Sequence, residues 1–192
     1  MNRRVAIAGT VAVMLVFSAV VFFAKRGGPA FGRQTTPKPA NAAAPAVPAP
    51  PGRKIKARLF YVADDGARLS SVERDVAYGE GANDQAREIV AAQIAPVAPP
   101  LVSAIPAGTT LRAVFITKSG DAYVDLSREA RASHPGGTVN ELLTVYAIVN
   151  ALTANLPAVT GVQLLVDGKE VDTLSGHVDL RRPLAKNLAW VQ

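Results

Sequence analysis

Twenty consecutive uncharged residues, Val5–Ala24, constrain this chain more than any other feature. Arg3-Arg4 precedes the run and Lys25-Arg26 closes it. At about 1.5 Å rise per residue the run makes a helix of roughly 30 Å, the thickness of a bilayer's hydrocarbon core. A secretory signal peptide has a shorter apolar region and small residues before its cleavage site. Here the run ends Phe22-Phe23-Ala24-Lys25, with a bulky aromatic where a small residue is wanted. The expectation is an uncleaved single-pass anchor at 5–24 behind a short leader, 1–4. A lipid anchor needs a cysteine after the run, and the chain has none.

Charge splits at the same boundary. Before Arg53 there are six basic residues and no acidic ones; from Arg53 onward there are fifteen of each. The net charge of +6 therefore sits beside the membrane, where cations meet anionic lipid, and the remainder is formally neutral. No basic stripe with interleaved aromatics occurs, which excludes a nucleic-acid partner. The flanking charges count nearly equal on the two sides of the apolar run, so they leave its orientation open.

Residues 25–52 read as a spacer. Gly27–Gly52 holds seven prolines, seven alanines and four glycines, too little apolar surface to offset the entropy of ordering. An extended proline-rich chain of that length reaches roughly 80 Å.

Residues 53–192 suffice for one domain. Lys54–Val62 alternates as a strand does, Asp64-Asp65-Gly66 is a turn, and Leu69–Ala77 reads as a second strand. Asn83 or Asp84 is expected to cap a helix carrying Ala86, Ile89, Val90 and Ile94 on one face, ended by Pro96, Pro99 and Pro100. Leu111–Thr117 and Ala122–Leu126 form a hairpin around Ser119-Gly120-Asp121. Thr138-Val139-Asn140-Glu141 fits a capping box, with Glu141 reaching back to the helix start. Pro157 stops that helix, and Val162–Val166 and Glu170–Leu174 follow as strands joined at Asp167-Gly168. The predicted class is α+β in the order β-β-α-β-β-α-β-β, with two helices on one face of a mixed or antiparallel sheet.

Leu101-Val102-Ser103-Ala104-Ile105-Pro106-Ala107-Gly108-Thr109 resembles the signature loop of the GerMN domain family, named for a sporulation and germination protein. Similar in the same order are Asp125 ending a strand, Gly136-Gly137 before Glu141-Leu142-Leu143, and Asn150 in the second helix. The likeness continues through Asp167-Gly168, then Gly176, His177 and Asp179, and covers about residues 55–185. The resemblance implies an extracytoplasmic envelope domain for binding or assembly, with no established catalytic set and a fold related to ring-building motifs of secretion-like assemblies. It places the domain outside the cell membrane. The bare apolar segment departs from the many members that carry a lipid anchor.

Catalytic chemistry finds little support. Two histidines without cysteine exclude a Cys/His zinc site, and no phosphate-cradling or nucleophile-elbow motif occurs, so no metal or cofactor is expected. Gly79-Glu80-Gly81 reads as a strand-to-helix turn. Gly136-Gly137-Thr138 opens a helix whose free N–H groups the capping box would use internally rather than for an anion. Ser175, His177 and Asp179 carry triad residue types, but alternate positions on a strand stand about 6.6 Å apart, too far for the contacts a triad needs. His134 is expected in solvent.

One surface remains. Leu143, Ala147, Ile148 and Ala151 lie off the main apolar stripe of the second helix, so they either meet a partner or are unusually buried. Trp190 poses the same choice. The functional expectation is a non-catalytic, membrane-anchored module engaging an envelope protein or a second copy of itself. The alternative is a domain that binds cell-wall fragments or a small molecule through loops Ile105–Gly108 and Pro135–Gly137.

Overall fold

The computed structural model describes residues 52–192; the anchor expected at 5–24 and all of the spacer but Gly52 lie outside the described residues. The chain runs β1 (Lys54–Val62), β2 (Leu69–Ala77), α1 (Ala82–Ile94), β3 (Leu111–Ile116), β4 (Asp121–Leu126), α2 (Glu129–Ala132), α3 (Thr138–Asn155), β5 (Gly161–Val166) and β6 (Lys169–Glu170). The α+β class holds. The strands, however, form two sheets rather than one: an antiparallel β1-β2 ribbon, and a four-stranded sheet ordered β3-β4-β5-β6 in which only β4 and β5 run parallel.

Two sheets change what the helices must bury. α1 and α3 pack on each other, and each also contacts strands of both sheets. An ordinary surface helix buries one stripe. α3 instead buries eleven residues spread around its circumference. Leu143, Ala147, Ile148 and Ala151 are therefore core, at 0–2% exposure, and the partner-facing surface expected of them is inside the domain.

The second edge of β1, away from β2, is closed by side chains rather than by a strand. Gln93 of α1 accepts from the Phe60 N–H at 2.8 Å and donates to its carbonyl at 2.7 Å. Asn155 of α3 does the same for Arg58, at 2.9 and 2.8 Å. A carboxamide offers one donor and one acceptor side by side, as a backbone peptide does, so each replaces one rung of a ladder. Val102 completes the edge by accepting from the Val62 N–H. Bare strand edges invite pairing with other chains, and this one presents no free ladder at those positions.

Several local expectations need correction. Asn83 and Asp84 do not cap α1; Gly81 occupies that position without a side-chain bond, and Asn83 Oδ1 accepts from the Ile116 N–H on β3. The last strand, expected at Glu170–Leu174, does not form over that span: β6 is Lys169–Glu170 and the residues after it turn towards α3. The short α2 had no periodicity to reveal it.

Gly79 has a packing reason. A Cβ there would stand 2.3 Å from the Gln85 backbone nitrogen, while one on Gly81 meets nothing nearer than 3.6 Å. The close approach lets Gln85 Oε1 accept from the Gly79 N–H while its Nε2 donates to Ala77. Gly79→Ala is expected to cost about 2–3 kcal/mol by overpacking against backbone that cannot give, and Gly81→Ala less than about 1 kcal/mol, as chemical denaturation will measure.

Candidate functional site

The family-motif positions fall into three places. Around Ile105–Gly108 the chain turns sharply: the Pro106 carbonyl accepts from both the N–H and the hydroxyl of Thr109, and Gly108 takes φ +81°. A third turn residue with positive φ is what a type II turn demands, and glycine supplies it without strain. Ile105 and Pro106 are buried, so they anchor the loop, whereas Val102 stands 57% exposed on it.

This loop is flanked by two recesses. The larger, about 620 Å³, is lined by Ile94, Pro96, Pro99, Leu101, Val102 and Ile105 among others and is mainly apolar. The smaller, about 410 Å³, lies between Ile105-Pro106 and Pro135, and Ser103, Ser133 and Asn140 bring polar atoms to it. The loops 105–108 and 135–137 thus face one another across this recess. His134, expected in solvent, is half-buried with both ring nitrogens engaged.

The second place is Glu141. Its side chain is fully buried and does not cap α3, whose N-cap is Gly137 with no side-chain bond. Instead its carboxylate gathers the C-terminal segment. Oε1 accepts from the N–H groups of Leu174 (2.7 Å) and Ser175 (2.9 Å). Oε2 accepts from the His177 N–H (2.8 Å) and the Ser175 hydroxyl (3.0 Å), with His177 Nδ1 at 3.1 Å. Burial alone would push this carboxyl up; the hydrogen bonds from Ser175, His177 and Leu174 together outweigh it and hold it at about 2. Ser175 gives its proton to Glu141 and not to His177, so serine and histidine do not form a nucleophile–base pair. Asp179 is paired with Arg181, whose guanidinium holds its carboxyl well below the usual carboxylate range.

The third place joins distant chain. Asp125 accepts from the Gly168 N–H and from Arg112, fixing the Asp167-Gly168 turn, where both residues take positive φ. Asn150, fully buried on α3, donates to the Asn187 carbonyl and accepts from its N–H, strapping down the C-terminal segment. Trp190 is half-buried and its carbonyl accepts from the Leu69 N–H, so this end of the chain docks on β2. Among the described residues no cluster of three or more His, Asp or Glu side chains could hold a metal.

Sequence reasoning missed Glu141 and Gln93 as structural hubs. The signal was present: Glu141, Val145, Ile148 and Leu152 share one helical stripe, which places a carboxylate on a buried face.

The class these observations define is an α+β domain built of two sheets on a helix pair, whose buried polar groups hold loops in place. The chain belongs to the Germane family, described as sporulation and spore germination, whose profile matches residues 58–172; its domain is of GerMN type. No curated protein matches the chain in sequence. The tandem GerMN domains of the sporulation protein GerM from Bacillus subtilis share the fold at TM-score 0.51 and 20% identity, covering 71% of this chain and 46% of that one. The first GerMN domain of the same protein aligns at TM-score 0.49 and 19% identity, over 68% of this chain and 97% of that one.

Proposed function

We propose that this chain is a single-pass membrane protein whose GerMN-type domain lies on the extracytoplasmic side and binds or assembles with an envelope protein, acting without catalysis. The carrying observation is Val102, a large apolar side chain left more than half exposed in the family's own motif loop, beside an apolar groove. Scattered exposed hydrophobics need no explanation, but a groove lined by them supports protein contact. The apolar run 5–24 and the proline-rich segment 25–52 support the membrane part of this reading.

A photo-crosslinking side chain at Val102, in intact membranes, is expected to yield a discrete adduct, either with an envelope protein or with a second copy. The same group at Phe115, 59% exposed on β3, serves as control and yields none. Equal labelling at the two positions, or none at Val102 in folded protein, rejects the reading.

The smaller recess supports a second reading. Ser103, Ser133 and Asn140 bring polar groups to an otherwise apolar hollow, as small-ligand sites do. Cell-wall fragments are the probe: a thermal shift that Asn140→Ala abolishes would support it, and no shift at millimolar fragment would discard it.

A further inference from the structure

Four groups around His134 form a chain in which every proton is assigned by chemistry. The Gly136 N–H can only donate, so His134 Nδ1, at 2.9 Å, accepts and carries no proton. The Ala104 carbonyl can only accept, so the Thr144 hydroxyl gives it its proton, at 2.6 Å. Thr144 Oγ1 then accepts from His134 Nε2, 3.3 Å away, which carries the ring's one proton. The relay runs from the 133–137 loop through α3 to the 101–109 loop and ties together two walls of the smaller recess.

We propose that His134 makes this relay a proton-sensitive clasp: a second proton, on Nδ1, would face the Gly136 N–H as donor against donor and open the turn 134–136 that shapes one wall of the recess, while Nε2–H keeps its bond to Thr144. The clasp shapes this recess whether or not a partner binds there.

The surroundings set the direction. Burial lowers the affinity of His134 for the proton; Glu141 on α3 raises it, and His177 on the C-terminal segment lowers it further. The attraction of Glu141 is already shared among the donors gathered on its carboxylate. The 101–109 loop carries no titratable residue. From α2, the Arg131 guanidinium is turned to the Leu174 carbonyl. His134 therefore binds its proton less readily in the fold than in the unfolded chain. The clasp's contribution is whole above the ordinary histidine value of 6.5 and is lost as pH falls through the lowered one.

Hydrogen exchange on the full chain in nanodiscs, corrected for intrinsic pH dependence, tests this between pH 7.5 and 5, above the range where Glu141 titrates. Protection of the 133–137 segment is expected to fall about tenfold in the wild type and in His177→Gln, and to stay level in His134→Gln. An equal fall in His134→Gln, or none in the wild type, overturns the proposal. Should His134→Gln not fold, the nitrogen shifts of the wild-type ring decide: at pH 7.5 Nδ1 must resonate as the unprotonated nitrogen, and a proton found there refutes the clasp.

Discussion

Glu141→Gln is expected to lower the stability of the domain by about 2–4 kcal/mol, a fall in melting temperature on the order of 10 °C. The amide group brings two donors where a carboxylate brought only acceptors. Facing Oε1's partners it would oppose two backbone N–H groups, Leu174 and Ser175, neither of which can reverse. Turned the other way it opposes the His177 N–H, while the Ser175 hydroxyl and the imidazole can rearrange. One buried backbone donor is left unpaired at best, and the charge that strengthened every bond is gone. Exchange protection should be lost first at residues 174–177. If Glu141→Gln melts within about 2 °C of wild type with those amides still protected, the carboxylate is not the hub described.

The same group, the buried one among the carboxyls lowered in the fold, contributes to the acid limb of stability. Its carboxyl sits at about 2 in the fold against 4.5 ordinarily. The unfolded state thus takes up the proton first, so this group's contribution to stability is whole above about pH 5, declines as pH falls below 4.5 and is lost by about pH 2. The difference is worth about 3 kcal/mol for a fully buried group. Glu141→Gln should make that limb shallower, and, by removing a charge that raises the proton affinity of His134, move the His134 transition to lower pH.

Which parts of this molecule could be read in advance follows from the range over which each signal acts. Strand alternation at Lys54–Val62 and Leu69–Ala77, the turn at Asp167-Gly168 and the proline stop after α3 are local effects, and they stand where the sequence puts them. Their assembly is not local. One sheet and two sheets use the same strands, and what separates them is the edge of β1, where Gln93 and Asn155 take the place of a neighbouring strand across 33 and 97 residues. Glu141 was misread for the same reason. A glutamate at the fourth position of Thr-Val-Asn-Glu matches a cap by spacing, and the competing donors arrive from 33 to 36 residues away. The apolar circumference of α3 fits either a binding face or unusual burial in the sequence, and the choice falls to burial because two sheets and a second helix clasp the helix. The loop at Ile105–Gly108 stands where the sequence puts it, since its turn is made within four residues, whereas the exposure of Val102 depends on the elements around it.

Gln93→Leu is expected to cost about 2–5 kcal/mol, although leucine is close to glutamine in size and better suited to an apolar core. Gln93 is fully buried and Phe60 nearly so, which keeps solvent from the groups the carboxamide would leave. The Phe60 N–H and carbonyl would both be stranded, each at about 1–3 kcal/mol. Asn155 provides the internal control. It makes the same paired bonds to Arg58, but these are exposed and solvent can replace them although Asn155 itself is half-buried, so Asn155→Leu should cost no more than about 1 kcal/mol. The paired bonds to β1 are common to both sites, Asn155 adds one to the Ala151 carbonyl, and the larger difference is burial, so the pair compares an unmade hydrogen bond in a dry interior with one that solvent reaches. Urea titration of the two variants settles the point: if Gln93→Leu loses no more than Asn155→Leu, the clamp on β1 contributes shape rather than hydrogen bonding. A second consequence follows for the loosened edge. With its ladder groups unpaired at Phe60, β1 becomes a site for pairing with other chains, and Gln93→Leu should aggregate on heating where Asn155→Leu does not.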